Sequence, residues 1–134
     1  MKELTTAAER ACIPRIIDFV NGELERLGCP EKTMAQIDIA IDEVFSNIAN
    51  YGYDARPGTV TVAMEPGEGR SVSITFMDDG RPFNPLERAD PDVTLPAMKR
   101  KIGGLGIYMV KKSMDDVRYE YRDGKNVLTI RKTI

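Results

Sequence analysis

Apolar side chains recur every three or four positions in two long segments near the start of the chain. The first segment covers residues 8–27 and ends at Gly28. The second opens after Pro30 and runs to about Tyr51, where Gly52 ends the pattern. The spacing predicts two amphipathic helices. Beside the apolar stripe of the second helix runs a polar stripe of Gln36, Glu43, Asn47 and Asn50.

From Thr59 onward the apolar spacing changes to two, which is typical of strands. Alternating residues at 60–64 and 72–76 flank a turn at 66–69, and a second pair of alternating segments, at 117–121 and 127–134, flanks Asp123-Gly124. Each pair of segments predicts an antiparallel hairpin.

Four prolines interrupt any regular spacing between residues 81 and 102, which favours a long irregular connection of the kind that often serves as a lid. Glycines at 103, 104 and 106 and a short apolar helix follow. The resulting order is helix, helix, strand, strand, loop, helix, strand, strand. This order favours one α+β domain over residues 1–134, a two-layer α/β sandwich with helices on one face of a mostly antiparallel sheet, rather than a parallel doubly wound sheet.

Composition narrows the classes of partner. Among 134 residues the net charge is −2, so no overall basic field favours direct binding to nucleic acid or to an anionic membrane. No apolar window of about 18 residues exists, so neither a signal peptide nor a membrane span is predicted. Cys12 and Cys29 form no C-x-x-C pair, which fits a reducing, cytoplasmic location.

The chain contains no histidine. A histidine general base, a histidine metal ligand and a phosphohistidine formed on this chain are therefore excluded. Proton transfer falls to a carboxylate, a lysine, a cysteine or a tyrosine. A histidine kinase is disfavoured, because the chain could be only its severed catalytic half.

Glu43 and Asn47 lie four residues apart on the second helix, so their side chains project from adjacent turns of one face. A carboxylate can remove a proton from a hydroxyl group, and an amide oxygen is a hard neutral ligand that suits Mg²⁺. Taken alone, the pair is better explained as a solvated helix face.

Asp78 continues the apolar row of its strand, where a carboxylate is costly unless something binds it. Such a group can accept a hydrogen bond from an exocyclic amine, with Gly80 leaving room for the base. The alternative is a simple turn, since Asp and Gly favour turns and Pro82 ends the strand.

Gly104 and Gly106, with the backbone of Leu105 between them, precede a helix, and such glycines let N–H groups surround an anion. A flexible joint is the alternative. The basic run at residues 99–101 fits either a phosphate clamp or a solvated face. Together, the metal ligand, the amine acceptor and the phosphate cradle are the parts that a nucleotide site requires.

The order and spacing of these parts resemble the GHKL, or Bergerat-fold, ATPases from about Glu31 to the C-terminus. Residues 41–47 are similar to the N box, Asp78-x-Gly80 to the G1 box and residues 104–106 to the G2 box. The sequence of residues 79–85 and the short length of the chain most resemble the anti-sigma factor serine/threonine kinases of this superfamily.

The resemblance implies that the chain binds ATP and Mg²⁺. Asn47 would coordinate the Mg²⁺ that bridges the ATP phosphates, and Glu43 would be the general base. Asp78 would bind the adenine amine, and Gly80 would make room for the base.

Other implied contacts lie near the C-terminal end. Gly104, Leu105 and Gly106 would hold phosphates under a lid formed by residues 86–102, with Lys101 or a neighbouring basic residue in contact with phosphate. Thr129 resembles a threonine that supports the adenine site, although an ordinary strand threonine explains it equally well.

The sequence departs from the family pattern at two positions. Tyr51 stands where many members of this kinase branch have a histidine, and Ile102 and Gly103 separate the basic run from the glycine motif. Both departures affect inferences about phosphate and partner contacts rather than the metal ligand or the base.

Three functions compete. The first is Mg·ATP-dependent phosphorylation of a serine or threonine on an anti-sigma factor antagonist with a STAS fold, with homodimer formation as a further implication of the resemblance. The second is a nucleotide-dependent switch that binds a sigma factor or another partner with little phosphoryl transfer. The third is an α+β interaction module that binds no nucleotide. The carboxylate of Glu43 favours the first over the second.

Overall fold

The computed structural model describes residues 1–51, 57–87 and 105–134. In these ranges five strands and three helices follow one another along the chain. They are β1 (Lys2–Ala7), α1 (Ile13–Arg26), α2 (Glu31–Tyr51), β2 (Thr59–Pro66), β3 (Ser71–Asp78), α3 (Leu105–Ser113), β4 (Asp116–Arg122) and β5 (Lys125–Thr133).

The strands form one antiparallel sheet in the order β1-β2-β3-β5-β4. The predicted hairpins are both present, β2 with β3 and β4 with β5, and the sheet joins them through β3 and β5. In that central pairing Asp78, the last residue of β3, lies opposite Asn126, near the start of β5. The two residues therefore meet at one end of the sheet although they are far apart in sequence.

One face of the sheet packs against the helices. The register places Val62, Phe76 and Leu128 on the same face, and all three are buried. They pack in a cluster with Ile16 of α1, Ile41 and Phe45 of α2 and Val110 of α3. The fold is thus the expected α+β sandwich of helices on an antiparallel sheet.

The opposite face of the sheet carries small hydroxyl side chains. Thr5 bonds Thr61 across β1 and β2 at 2.9 Å, and Thr75 bonds Thr129 across β3 and β5 at 3.1 Å. Thr129 therefore lies on the face away from the helices.

Strand β1 is absent from the sequence prediction, which began with a helix at residue 8, and the predicted start of that helix was wrong. Only Leu4 is a large apolar residue in the inward row Lys2, Leu4 and Thr6, so the alternation is too weak to be recognised. Helix α1 begins at Ile13, because Pro14 is suited to the first helical turn.

An ion-pair cluster ties β1 to α1. Glu23 contacts Arg26 at 3.0 Å and Lys2 at 2.5 Å. Hydrogen bonds from Arg26 and Lys2 lower the pKa of Glu23 to about 2, against the opposing effect of desolvation. This edge strand is thus held by its pairing with β2 and by a charged contact to the helix layer.

The predicted turns agree with the structure. Asp123 and Gly124 both adopt positive φ, at 54° and 76°, as a tight hairpin between β4 and β5 requires. Of the proline-rich connection, the described part contains a short 3-10 helix at Pro85–Glu87. Among the described helices, none combines the length and the hydropathy needed to cross a membrane.

Helix α2 offers a matched test of the core. Phe45 is fully buried and Ile39 is 59% exposed on the same helix. We expect Phe45→Ala to lower the free energy of unfolding by about 3 to 5 kcal/mol, because it removes buried area and leaves a cavity. Ile39→Ala should change it by less than about 0.5 kcal/mol. Urea unfolding measures both, and similar losses would contradict this packing.

Candidate functional site

A pocket lies at the end of the sheet where β3 stops and β5 begins, between the sheet and α2. It is lined from α2 by Val44, Asn47 and Ile48, from the strands by Phe76, Asp78, Tyr119, Asn126 and Leu128, and from the segment after β3 by Arg81, Phe83 and Pro85. Two of the predicted site residues, Asn47 and Asp78, therefore share one pocket.

Asp78 supplies a carboxylate to this pocket. It is buried, with 5% of its surface exposed. Its Oδ1 accepts hydrogen bonds from the Gly80 N–H at 3.0 Å and from Nδ2 of Asn126 at 3.1 Å, so these bonds leave the lone pairs of Oδ2 unused. Desolvation raises the pKa of Asp78 despite both hydrogen bonds. A buried carboxylate with a raised pKa at the end of an apolar pocket is typical of a ligand-binding group.

Asn126 holds this end of the pocket together. Besides the bond to Asp78, its Nδ2 donates to the Arg81 carbonyl at 3.0 Å, with the Gly80 carbonyl at 3.4 Å. Its Oδ1 accepts from the Phe83 N–H at 3.1 Å and from the Tyr119 hydroxyl. Both donor and both acceptor positions of the amide are used, so Asn126 fixes the chain after β3 against the sheet.

Tyr119 supports the same amide from β4. Burial is the main cause that raises the pKa of the Tyr119 phenol, so the hydroxyl remains a donor at neutral pH. It donates to Oδ1 of Asn126, which leaves the two Nδ2 hydrogens facing Asp78 and the carbonyls. The hydrogen bonds thereby select one orientation of the amide.

Apolar side chains form the rest of the walls. Val44 and Ile48 of α2 face Phe76 and Leu128 of the sheet across the pocket, and Phe83 lines it from the segment after β3. An apolar slot that ends in a fixed carboxylate suits a flat ring whose edge carries an amine donor.

Glu43 lies on α2 one turn before Asn47 and contacts the start of α3. A Cβ added to Gly106 would overlap Oε2 and Cδ of Glu43 and would lie 3.0 Å from Oε1. The structure thus brings Glu43 next to Gly106, and Asn47 next to Asp78. The described residues contain no cluster of three His, Cys, Asp or Glu side chains suited to a metal ion.

Several predicted site residues lie elsewhere. Thr129 does not line the pocket described above: it lies on the open face of the sheet and bonds Thr75, because its place in β5 has the opposite parity to Asn126. Gly104 and the basic run that includes Lys101 fall outside the described residues, as does most of the expected lid. Of Leu105, the structure places the backbone at the start of α3.

Sequence reasoning missed Asn126 and Tyr119. The signal for Asn126 was the same as the one that singled out Asp78, a polar residue at the end of an inward row, here the row that continues with Leu128 and Ile130. Asparagine is also disfavoured in strands. The signal was missed because the pairing of β3 with β5 joins residues from different hairpins.

Comparison with known families identifies the class. The model of the family described as "Histidine kinase-like ATPase domain" matches residues 6–132. The chain therefore belongs to this family of ATPase domains.

Individual relatives are similar over nearly the whole chain. A protein of Bacillus mycoides (strain KBAB4) named "Serine-protein kinase RsbW" is 28% identical over 130 residues, which cover 94% of this chain and 79% of the relative. A protein of the same name from Bacillus cereus (strain ATCC 10987 / NRS 248) has the same identity and coverage. The solved histidine kinase domain of a blue-light activated kinase from Erythrobacter litoralis EL346 matches with a TM-score of 0.60 at 18% identity, over 92% of this chain and 59% of that one. This last likeness concerns the fold.

Because the charge of Asp78 is buried, we expect its removal to stabilise the ligand-free protein. Asn at this position keeps an oxygen acceptor for Gly80 and Asn126 but carries no charge, so Asp78→Asn should raise the Tm of the ligand-free protein at neutral pH. Because the pKa of folded Asp78 is raised, this difference should shrink as pH falls and the native carboxyl becomes protonated. The control is Asp18→Asn, at an exposed position of α1. A lower Tm for Asp78→Asn at neutral pH would contradict the argument.

The hydrogen bonds of Asn126 predict that replacing this residue lowers the stability of the protein by an amount that depends on pH. Asn126→Asp removes the donors that serve Asp78 and Arg81 and places a second carboxylate beside Asp78. We expect destabilisation by about 2 kcal/mol at neutral pH, the cost of a buried polar group left unpaired, and partial recovery as pH falls and one carboxyl takes up a proton.

The matched control is Asn84→Asp, which adds the same charge while keeping the oxygen that accepts from the Leu86 N–H at 2.9 Å. It should have little effect. Urea unfolding at several pH values compares the two variants, and equal losses would show that Asn126 has no special role.

Proposed function

We propose that this chain is an Mg²⁺-dependent kinase that transfers phosphate from ATP to a serine or threonine hydroxyl of a protein. The observation that carries the proposal is the convergence of Asp78, Asn47 and Glu43: two line one pocket, and the third stands one helical turn from Asn47. Membership of the histidine kinase-like ATPase family and the serine-protein kinase names of its relatives support it.

Adenine recognition follows from the Asp78 carboxylate. Its Oδ1 is occupied by Gly80 and Asn126, so Oδ2 remains to accept from the exocyclic amine of adenine. Guanine carries a carbonyl at the equivalent position, which would face the carboxylate oxygen without a hydrogen to share. Phe76, Phe83 and Leu128 would cover the faces of the ring.

The residues present fit a magnesium ion carried by the nucleotide. Asn47 offers a neutral oxygen at the pocket, and Mg²⁺ in nucleotide sites takes one or two protein ligands together with phosphates and water. Asn47 would hold the ion, whose chemistry is to neutralise phosphate charge. The Gly104–Gly106 backbone and Lys101 remain proposed contacts of the phosphates.

Glu43 has the role of base. A carboxylate at this position orients the hydroxyl of the substrate and takes its proton, while the oxygen forms a bond to the γ-phosphorus and the bond from that phosphorus to the β-phosphate oxygen breaks. The products are a phosphorylated hydroxyl and ADP. Since the chain has no histidine, no phosphohistidine on this protein precedes the transfer.

The proposed substrate is an anti-sigma factor antagonist with a STAS fold, and the proposed second partner is a sigma factor. Both proposals come from the resemblance to anti-sigma factor kinases and from the relatives that share the name "Serine-protein kinase RsbW". A cytoplasmic location is part of the same proposal.

Phosphate transfer is tested with radiolabelled ATP and the STAS-domain proteins encoded in the same genome. We expect the wild type to label one of them and Glu43→Gln to reduce the rate by 100-fold or more, on the order of 10²–10⁴ for a general base. ATP affinity, measured by calorimetry, should be unchanged in this variant, because Gln keeps the size of the side chain.

Two controls separate the parts of the proposal. Asp42→Asn, at the exposed neighbouring position, should leave transfer intact. Asp78→Asn should weaken ATP binding about tenfold or more. The substitution replaces the acceptor oxygen Oδ2 with an NH2 group, which would face the amine of adenine without accepting its hydrogen bond. ATP binding without transfer to any substrate would favour the nucleotide-dependent switch, and no ATP binding by the folded protein would rule out both.

A further inference from the structure

Gly106 lies in the first turn of α3 against the carboxylate of Glu43. A Cβ at this position would overlap Oε2 and Cδ of Glu43 and would lie 3.0 Å from Oε1. The neighbouring atoms are the far end of a side chain rather than backbone. A larger residue at 106 would therefore displace the carboxylate while leaving the helix in place.

The backbone at Gly106 does not itself require glycine. The described glycines with positive φ are Gly28, Gly69 and Gly124, and Gly106 is not among them. Glycine is also the least favourable ordinary residue inside a helix, by about 1 kcal/mol relative to alanine. What the position requires is therefore space, and the group that occupies the space is Glu43.

Gly22 in α1 shows the contrast. It is also a helical glycine, but a Cβ there would meet nothing within 4 Å. Alanine at Gly22 is thus expected to add helix propensity alone, whereas alanine at Gly106 would add the same propensity and collide with the carboxylate of Glu43.

We infer that Gly106 is a positioning residue for Glu43: the missing side chain forms the recess that holds the carboxylate beside the pocket, one helical turn from Asn47. The inference rests on the proposed function for its catalytic consequence. It is separate from the proposed contact of the Gly106 backbone with phosphate, because alanine keeps the backbone N–H and its Cβ displaces only the carboxylate of Glu43. Gly106→Ala should therefore reduce the transfer rate and leave ATP affinity unchanged.

The packing is tested without nucleotide or substrate. Urea unfolding midpoints are measured for Gly106→Ala, Glu43→Ala, the double variant and the control Gly22→Ala. We expect Gly22→Ala to raise the midpoint. Gly106→Ala should fail to raise it in the wild-type background but should raise it, as the control does, once Glu43 is truncated. An equal increase in both backgrounds would overturn the inference.

The catalytic consequence is tested by the radiolabelled transfer assay together with calorimetry. Gly106→Ala should lower kcat about 100-fold, the cost of misplacing a reacting group by about 1 Å, with no change in ATP affinity. In the Glu43→Ala background the same substitution should have no further effect on transfer. A loss of ATP affinity that parallels the loss of transfer would show that the substitution acts through the phosphates rather than through Glu43, and it would overturn the positioning role.

These results separate the inference from the proposed function. A wild-type chain that transfers no phosphate would overturn the proposed function and, with it, the catalytic role of Gly106. The urea measurements would still decide whether Gly106 makes the recess for Glu43.

Discussion

The hydrogen bond between Asp78 and Asn126 joins the ends of the two central strands, and the pocket depends on it. It connects residues 48 positions apart, both nearly inaccessible to water. Through its remaining bonds, Asn126 also fixes residues 80–83, so one amide sets the position of the carboxylate and of the adjoining wall. This end of the sheet is therefore held together by the protein's own hydrogen bonds.

The cost of that arrangement is a buried charge. Two donors stabilise the Asp78 carboxylate, yet desolvation still dominates and raises its pKa. A neutral residue that keeps the acceptor oxygen, such as asparagine, would satisfy folding better. Under the proposed function, adenine would supply a further donor to this acceptor, and such departures from the best-folding residue are expected at functional sites.

Much of this fold could be predicted because its periodic signals are strong. Helix α2, both hairpins and the inward position of Asp78 follow from local patterns of spacing. Strand β1 could not be predicted, since its inward row has one large apolar side chain and its place depends on pairing with β2 and on Glu23. Asn126 was missed for a related reason: which face of β5 meets the pocket depends on its register with β3, a contact between distant segments.

The strand order β3-β5-β4 places the junction between the two hairpins at the pairing of β3 with β5. Strand β3 ends at Asp78 and β5 begins beside it, so the hydrogen bond between Asp78 and Asn126 is one of the contacts that close the C-terminal hairpin onto the N-terminal one. A molecule that binds Asp78 adds its binding free energy to that closure. Because the pocket is lined from α2 as well as from β3, β4 and β5, a ligand there would act as a cross-link between the second helix and both hairpins.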